Sequence, residues 1–224
     1  MSSTSLLKCF GIAAVVFLAS GCATNQPYDY SAFHRAQPRS ILILPPVNKS
    51  PDIKASSSLL SQMSMPLAEA GYYVFPVGVV AQTFQQNGLS TPEDIQSVNA
   101  KKLYEIFGAD AALYVEITQY GTSYSVLTSE TVVAANAKLV DLRSGETLWE
   151  GKARASSAEN QSSNNGGLVG MLVKAAINQI VDTISEKGHE IAGVTSQRLL
   201  ARGPRGILSG PYSPEYGKDG LTRP

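Results

Sequence analysis

The chain reads as an α/β protein: a single domain with a mixed parallel and antiparallel sheet of about five strands, flanked by helices. Three observations predict this. Ile41-Leu42-Ile43-Leu44 is an unbroken apolar run, as expected of a strand covered on both faces. A helical stretch, a glycine and a second short β-rich run follow it, the order of a β-α-β unit with parallel strands and a right-handed crossover. From Ala111 onward the pattern changes to long strands joined by a tight turn, which pair antiparallel.

Ahead of the domain, residues 1–21 have the composition of a lipoprotein signal peptide. Lys8 supplies the charge of the n-region, and residues 9–18 hold about ten mostly apolar residues, within the roughly 7 to 15 of a secretory signal. That run is too short to span a bilayer, which takes about 20 apolar residues. Small Ala19-Ser20-Gly21 then precede Cys22, an arrangement that resembles a lipobox, with Ala19 where leucine is commonest. The Cys22 thiol is the expected site of diacylglycerol attachment, and its amine, freed by cleavage, would take a third acyl chain. Each buried CH₂ contributes about 0.8 kcal/mol, and stable anchoring needs more than one chain. Ala23 follows rather than Asp, which by resemblance to other bacterial lipoproteins implies the outer membrane, with the periplasmic face favoured over the surface.

Cys22 would be the sole cysteine of the mature chain, so neither a disulfide nor a thiolate metal site is expected. Lys plus Arg number 18 and Asp plus Glu 18, with no basic stripe interleaved with aromatics, and nucleic acid is not an expected partner. Residues 22–39 read as an acylated tether, residues 40–194 as the globular α/β domain, and residues 195–224 as a Gly/Pro-rich tail. A flexible tether of about 17 residues spans about 20 to 25 Å, less than the roughly 40 Å diameter of the domain.

Within the domain, residues 58–70 place Leu59, Leu60, Met63 and Leu67 on one helical face, with Pro66 as a kink and Gly71 as the stop. Residues 72–76 form the second strand and 77–86 the next helix, ending at Asn87-Gly88. Thr91 reads as an N-cap, with Pro92 at the first helical position and Glu93 and Asp94 near the positive end of the dipole. Another helix covers 100–107 and stops at Gly108. Strands are expected at 111–119, at 123–142 and at 147–155, with Gly145 supplying positive φ in the last turn. A Ser/Asn/Gly loop at 160–167 leads to a helix over 168–187 that Gly188 is expected to end. Its stripe of Leu168, Leu172, Val173, Ile177, Ile180 and Ile184 reads as a core face. In the tail, Ile207, Leu208, Tyr212 and Tyr216 are too apolar for a solvated segment, so part of it should dock.

Longer blocks carry a resemblance. Tyr28-Asp29-Tyr30-Ser31-Ala32-Phe33, the stretch from Arg39 to Asn48, Pro66-Leu67-Ala68-Glu69-Ala70-Gly71-Tyr72-Tyr73-Val74, and the stretch from Leu139 to Gly151 resemble the lipoprotein family first catalogued as a genome-derived neisserial antigen. The resemblance implies an outer-membrane lipoprotein with a domain similar to the amino-terminal domain of TolB, associated with a curli-secretion-type lipoprotein. It carries over no activity, and no functional residue beyond Cys22.

Catalytic readings are weaker. Ser123, Asp141 and His189 occur in the order of an α/β-hydrolase triad, but Gly121-Thr122-Ser123-Tyr124-Ser125 lacks the second glycine of a nucleophile elbow. His34 falls in the tether and His189 at a helix end, where a solvated side chain is the default. No cluster shows metal-ligand spacing. Asn165-Gly166-Gly167-Leu168-Val169-Gly170 departs from a dinucleotide fingerprint in its first residue and in its context. Trp149 fits cross-strand packing, or an exposed anchor for a partner. The expected function is therefore a non-catalytic interaction module without cofactor, in assembly or maintenance of a cell-envelope or secretion complex. The alternatives are an activator of a peptidoglycan synthase and, less favoured, a serine hydrolase; a homodimer through an edge strand stays open.

Overall fold

Ser40–Ile43 forms β1, whose side chains alternate between two apolar clusters: Ile41 and Ile43 face one, Leu42 the other, and all three are fully buried. The computed structural model describes residues 28–124, 129–159 and 184–219. β1 pairs in parallel with β3 (Tyr73–Val74) on one side and with β4 (Ala111–Tyr124) on the other. β2 (Val47–Asn48) also lies parallel to β4. β5 (Ser129–Asp141) and β6 (Thr147–Ser156) add antiparallel, so the mixed sheet runs β3-β1-β4-β5-β6 with β2 beside β4.

Helices cover the two faces unequally. On one face α2 (Ala55–Glu69) and α6 (Ile184–Leu199) bury Leu59, Met63, Leu67 and Ile191 against Leu113, Ile117, Val133 and Leu139 of the long strands. On the other, α3 (Val77–Gln86), α4 (Pro92–Ser97) and α5 (Ala100–Phe107) pack Val80, Phe84, Ile95 and Leu103 over Leu42, Leu44, Ala112, Tyr114 and Leu142. Glu116, Asn136, Lys138, Glu150 and Lys152, on the far half of that face, are exposed. The expected caps form: Thr91 Oγ1 accepts the Asp94 N–H at 3.2 Å, and Gly108 closes α5 at φ 66°.

Three expectations are corrected by the tertiary structure. Ser123 belongs to the first long strand, paired with Glu130, because β4 runs on to Tyr124 past a bulge between Ile117 and Gln119. The extra residue shifts the alternation and brings Tyr120 onto the core face. Second, Gly188 does not end a helix. α6 passes through it to Leu199, and a Cβ there would sit 2.9 Å from the Tyr120 hydroxyl, so the glycine permits close packing of α6 on β4. The glycine loop at 165–170 and every stripe residue from Leu168 to Ile180 lie outside the described residues.

Third, the stretch read as a tether packs on the body from Tyr28 onward, while the tail docks through Ile207 and Leu208 as its apolar residues predict. α1 (Ser31–Ala36) buries Phe33, worth about 1.5–3 kcal/mol, and the Tyr28 hydroxyl accepts the Glu150 N–H at 2.9 Å. At the other end Ile207 and Leu208 are buried, the Tyr72 hydroxyl donates to the Leu208 carbonyl at 2.6 Å, and the Gly210 and Tyr212 N–H groups reach the Ala70 and Gly71 carbonyls. Gly71 is both left-handed, at φ 92°, and crowded: a Cβ would lie 2.4 Å from the Ser213 nitrogen. Tyr212 and Tyr216 stay exposed. These contacts convert most of the expected tether and tail into packed structure.

Candidate functional site

The hydrolase trio is not assembled. Asp141 pairs with Ala111 and Ser123 with Glu130, at opposite ends of the same ladder. The length of β4 between Ala111 and Ser123 is about 40 Å at an antiparallel rise of ~3.4 Å per residue. The Asp141 carboxylate instead holds the β5–β6 turn, accepting the Arg143 N–H at 2.9 Å, the Ser144 N–H at 2.6 Å and the Ser144 hydroxyl at 3.0 Å. His34 sits on α1, its ring edge-on to Tyr30.

His189 joins a different set. Its Nδ1 lies 3.0 Å from Ser58 Oγ and its Nε2 2.6 Å from the Gln62 amide nitrogen. With the Gln62 amide donating to Nε2, the neutral ring carries its proton on Nδ1 and donates to Ser58. Ser58 Oγ also accepts the Tyr120 hydroxyl at 2.8 Å. The serine oxygen thus receives two donors and the imidazole lone pair is already engaged, the opposite of a nucleophile aimed at a free base. This network stitches α2, α6 and β4 together.

A larger concavity, of about 1090 Å³, runs along the uncovered half of the sheet and round the edge of β6 to the segment after α6. Among the described residues β6 is the terminal strand and pairs with β5 alone. Two of its main-chain groups have side-chain partners: Tyr28 takes the Glu150 N–H, and Arg198 Nη1 donates to the Arg154 carbonyl at 2.9 Å. Trp149, on the covered side of β6, is buried and donates from Nε1 to the Arg205 carbonyl at 3.0 Å. The indole therefore packs within the fold and fixes the wall of the groove, rather than offering an exposed anchor to a partner. Gly151 gives it room, since a Cβ there would fall 2.3 Å from the ring.

Charge is uneven in this groove. Lys152, Arg202 and Arg205 are exposed and form no ion pair among the described residues, whereas Arg198 is paired with Glu159 at 2.7 Å. Lys138 lies 5.1 Å over the Tyr114 ring. Glu116 and Glu150 are the carboxylates of the lining. Burial pushes the Tyr30 hydroxyl up to about 12, so it stays a neutral donor to the Gly206 carbonyl and ties α1 to the same wall. Sequence reading missed this role for the tail; its only signal was Arg202-Gly203-Pro204-Arg205-Gly206, a rigid, doubly basic turn.

Among the described residues no group of His, Cys, Asp and Glu converges to hold a metal ion, and no helix is long and apolar enough to cross a membrane. Cys22 lies outside the described residues.

Residues 28–212 match the family described as "Putative lipoprotein GNA1162-like". The chain belongs to this family. The matched stretch starts at Tyr28, which is itself packed against β6, and ends within the docked tail. Among GNA1162-like proteins, "Putative lipoprotein NMB1124/NMB1162" of Neisseria meningitidis serogroup B is 45% identical over 203 residues, 90% of this chain and 94% of that one. The crystal structure of lipoprotein GNA1162 from Neisseria meningitidis superposes with a TM-score of 0.52 at 51% identity, covering 63% of this chain and 97% of that chain. The LpoB C-terminal domain from Salmonella enterica overlaps at TM-score 0.39 and 21% identity over 53% of this chain and 83% of its own, too loosely to bear on function.

Proposed function

We propose that this GNA1162-like protein is a non-catalytic module, acylated at Cys22 and held at the periplasmic face of the outer membrane, that binds another envelope protein during assembly or maintenance of a cell-envelope or secretion complex. A curli-secretion-type lipoprotein is the first partner to test. The observation that carries this reading is a sheet that the described helices only half cover: among the described residues the β4–β6 face and the β6 edge present polar, partly unpaired surface, while Ser58, Asp141 and His189 are spent on structural bonds. An edge strand is a template for pairing and needs either cover or a partner. Five residues, 23–27, lie between Cys22 and the packed Tyr28, a reach of at most about 20 Å. That spacing speaks against an activator working deep in the cell wall.

Photocrosslinking in cells tests the reading, with probes at Asn136 and Lys138 on the open face and at Met65 and Val79 elsewhere. A discrete protein captured from the open face, and lost in Cys22→Ser, is the expected result. Equal capture from all four positions, or none from the open face, would overturn it.

A further inference from the structure

We infer that Lys152, Arg202 and Arg205 form a headgroup site for anionic phospholipid, which seats the domain on the leaflet that holds its lipid anchor. This rests on acylation at Cys22. Tyr28 lines the same groove as these three residues, and the chain between it and Cys22 is short enough to keep that end of the groove within about 20 Å of the bilayer. The basic turn is held beside Tyr28 and not merely near it: Tyr30 donates to the Gly206 carbonyl, Trp149 to the Arg205 carbonyl, and the Tyr28 and Tyr30 rings are 4.7 Å apart. The chain as a whole is neutral, so three exposed cations with no ion pair among the described residues are a local concentration at the membrane-proximal end. Glu116 and Glu150 are the carboxylates of the lining, neither in an ion pair with these three cations, and Arg198 is already paired with Glu159. Each cation near an anionic surface contributes roughly a fivefold gain in binding, falling off within a Debye length. With the anchor setting the distance, the turn and Lys152 select which side of the domain faces the lipid.

The test uses the acylated mature protein in nanodiscs of phosphatidylcholine alone and of equimolar phosphatidylcholine and phosphatidylglycerol, read by hydrogen exchange. Exchange in residues 201–206 should slow about fivefold or more in the anionic discs. The slowing should vanish in high salt and in Arg202→Glu/Arg205→Glu, with buried-Trp149 fluorescence reporting that this variant stays folded. The same exchange in both discs would overturn the headgroup site, and in-cell crosslinks running from positions 202 and 205 to a protein would overturn it in favour of a protein ligand. Mass spectrometry of Cys22 reports separately on the anchor. An unmodified Cys22 removes the acylation reading and this inference with it, whereas an acylated Cys22 with composition-independent exchange removes this inference alone.

Discussion

Asp110 fastens the entry to β1 onto the β5–β6 turn. Its carboxylate accepts the Arg39 and Ser40 N–H groups at 3.0 and 3.1 Å, the Ser40 hydroxyl at 3.0 Å, and Arg143 Nη2 at 2.5 Å. Burial alone would raise its pKa, but the donors from Arg39 and Ser40 and the charge of Arg143 outweigh it and hold the group below the ordinary carboxylate value. A depressed folded-state pKa gives stability that is present above the unfolded value and lost as pH falls through the folded one. Stability should therefore decline below about pH 4, and Asp110→Ala should cost about 1–3 kcal/mol at neutral pH while flattening that decline. Urea titrations at several pH values check both. Gly151 offers a second single-residue test. Gly151→Ala drives a methyl into the Trp149 ring and should cost about 1–3 kcal/mol by overpacking; an unchanged denaturation midpoint would contradict the packing described for β6.

At the scale of elements, α6 and β4 show where local signals mislead. A glycine after an apolar stripe reads as a stop, yet Gly188 lies inside α6 because Tyr120 presses against it. Gly188→Ala should gain up to about 1 kcal/mol of helix propensity and lose more than that from the contact, for a net destabilisation of about 1 kcal/mol. Tyr120→Phe removes the hydroxyl the methyl meets, so the double variant should recover part of the loss. Thermal melts of the four-member cycle measure the coupling. The helices at 77–86 and 100–107 were legible to the residue because their caps and stops are local: Gly108 has a left-handed φ that favours glycine whatever packs nearby. The bulge at Thr118 and the position of Ser123 were not legible. A bulge follows from register with the partner strand, and the alternation of a single strand does not contain it.

For the whole molecule, the packed ends matter most. Ile207 and Leu208 each bury a side chain worth about 1.5–3 kcal/mol, against a typical total stability of about 5–15 kcal/mol. Ending the chain at Leu200 should lower the melting temperature sharply or prevent folding, whereas ending it at Asp219, whose carboxylate accepts the Ser209 N–H and hydroxyl, should change little; circular dichroism melts distinguish the two. Because Tyr28 is packed against β6, its short separation from Cys22 is also a property of the whole chain. Inserting a flexible segment of about 20 residues after Cys22 would add roughly 25 Å of mean reach. Loss of the crosslinked partner with the fold intact is the expected outcome, and undiminished capture would show that distance from the membrane is irrelevant.

Sequence by itself determined the α/β class, the parallel-then-antiparallel order of strands, the family, and most helix ends. Each of these rests on period, on caps and turns, or on long blocks of residues within a single stretch of chain. Only the tertiary structure decided that Tyr28 and Leu208 belong to the body, that Trp149 is spent on holding a basic turn, and that the described helices leave half of one sheet face open. Those outcomes depend on which distant segments reach the same surface. Helices α3 to α5 are too short to cover five strands, and no local pattern records how far a neighbouring layer extends.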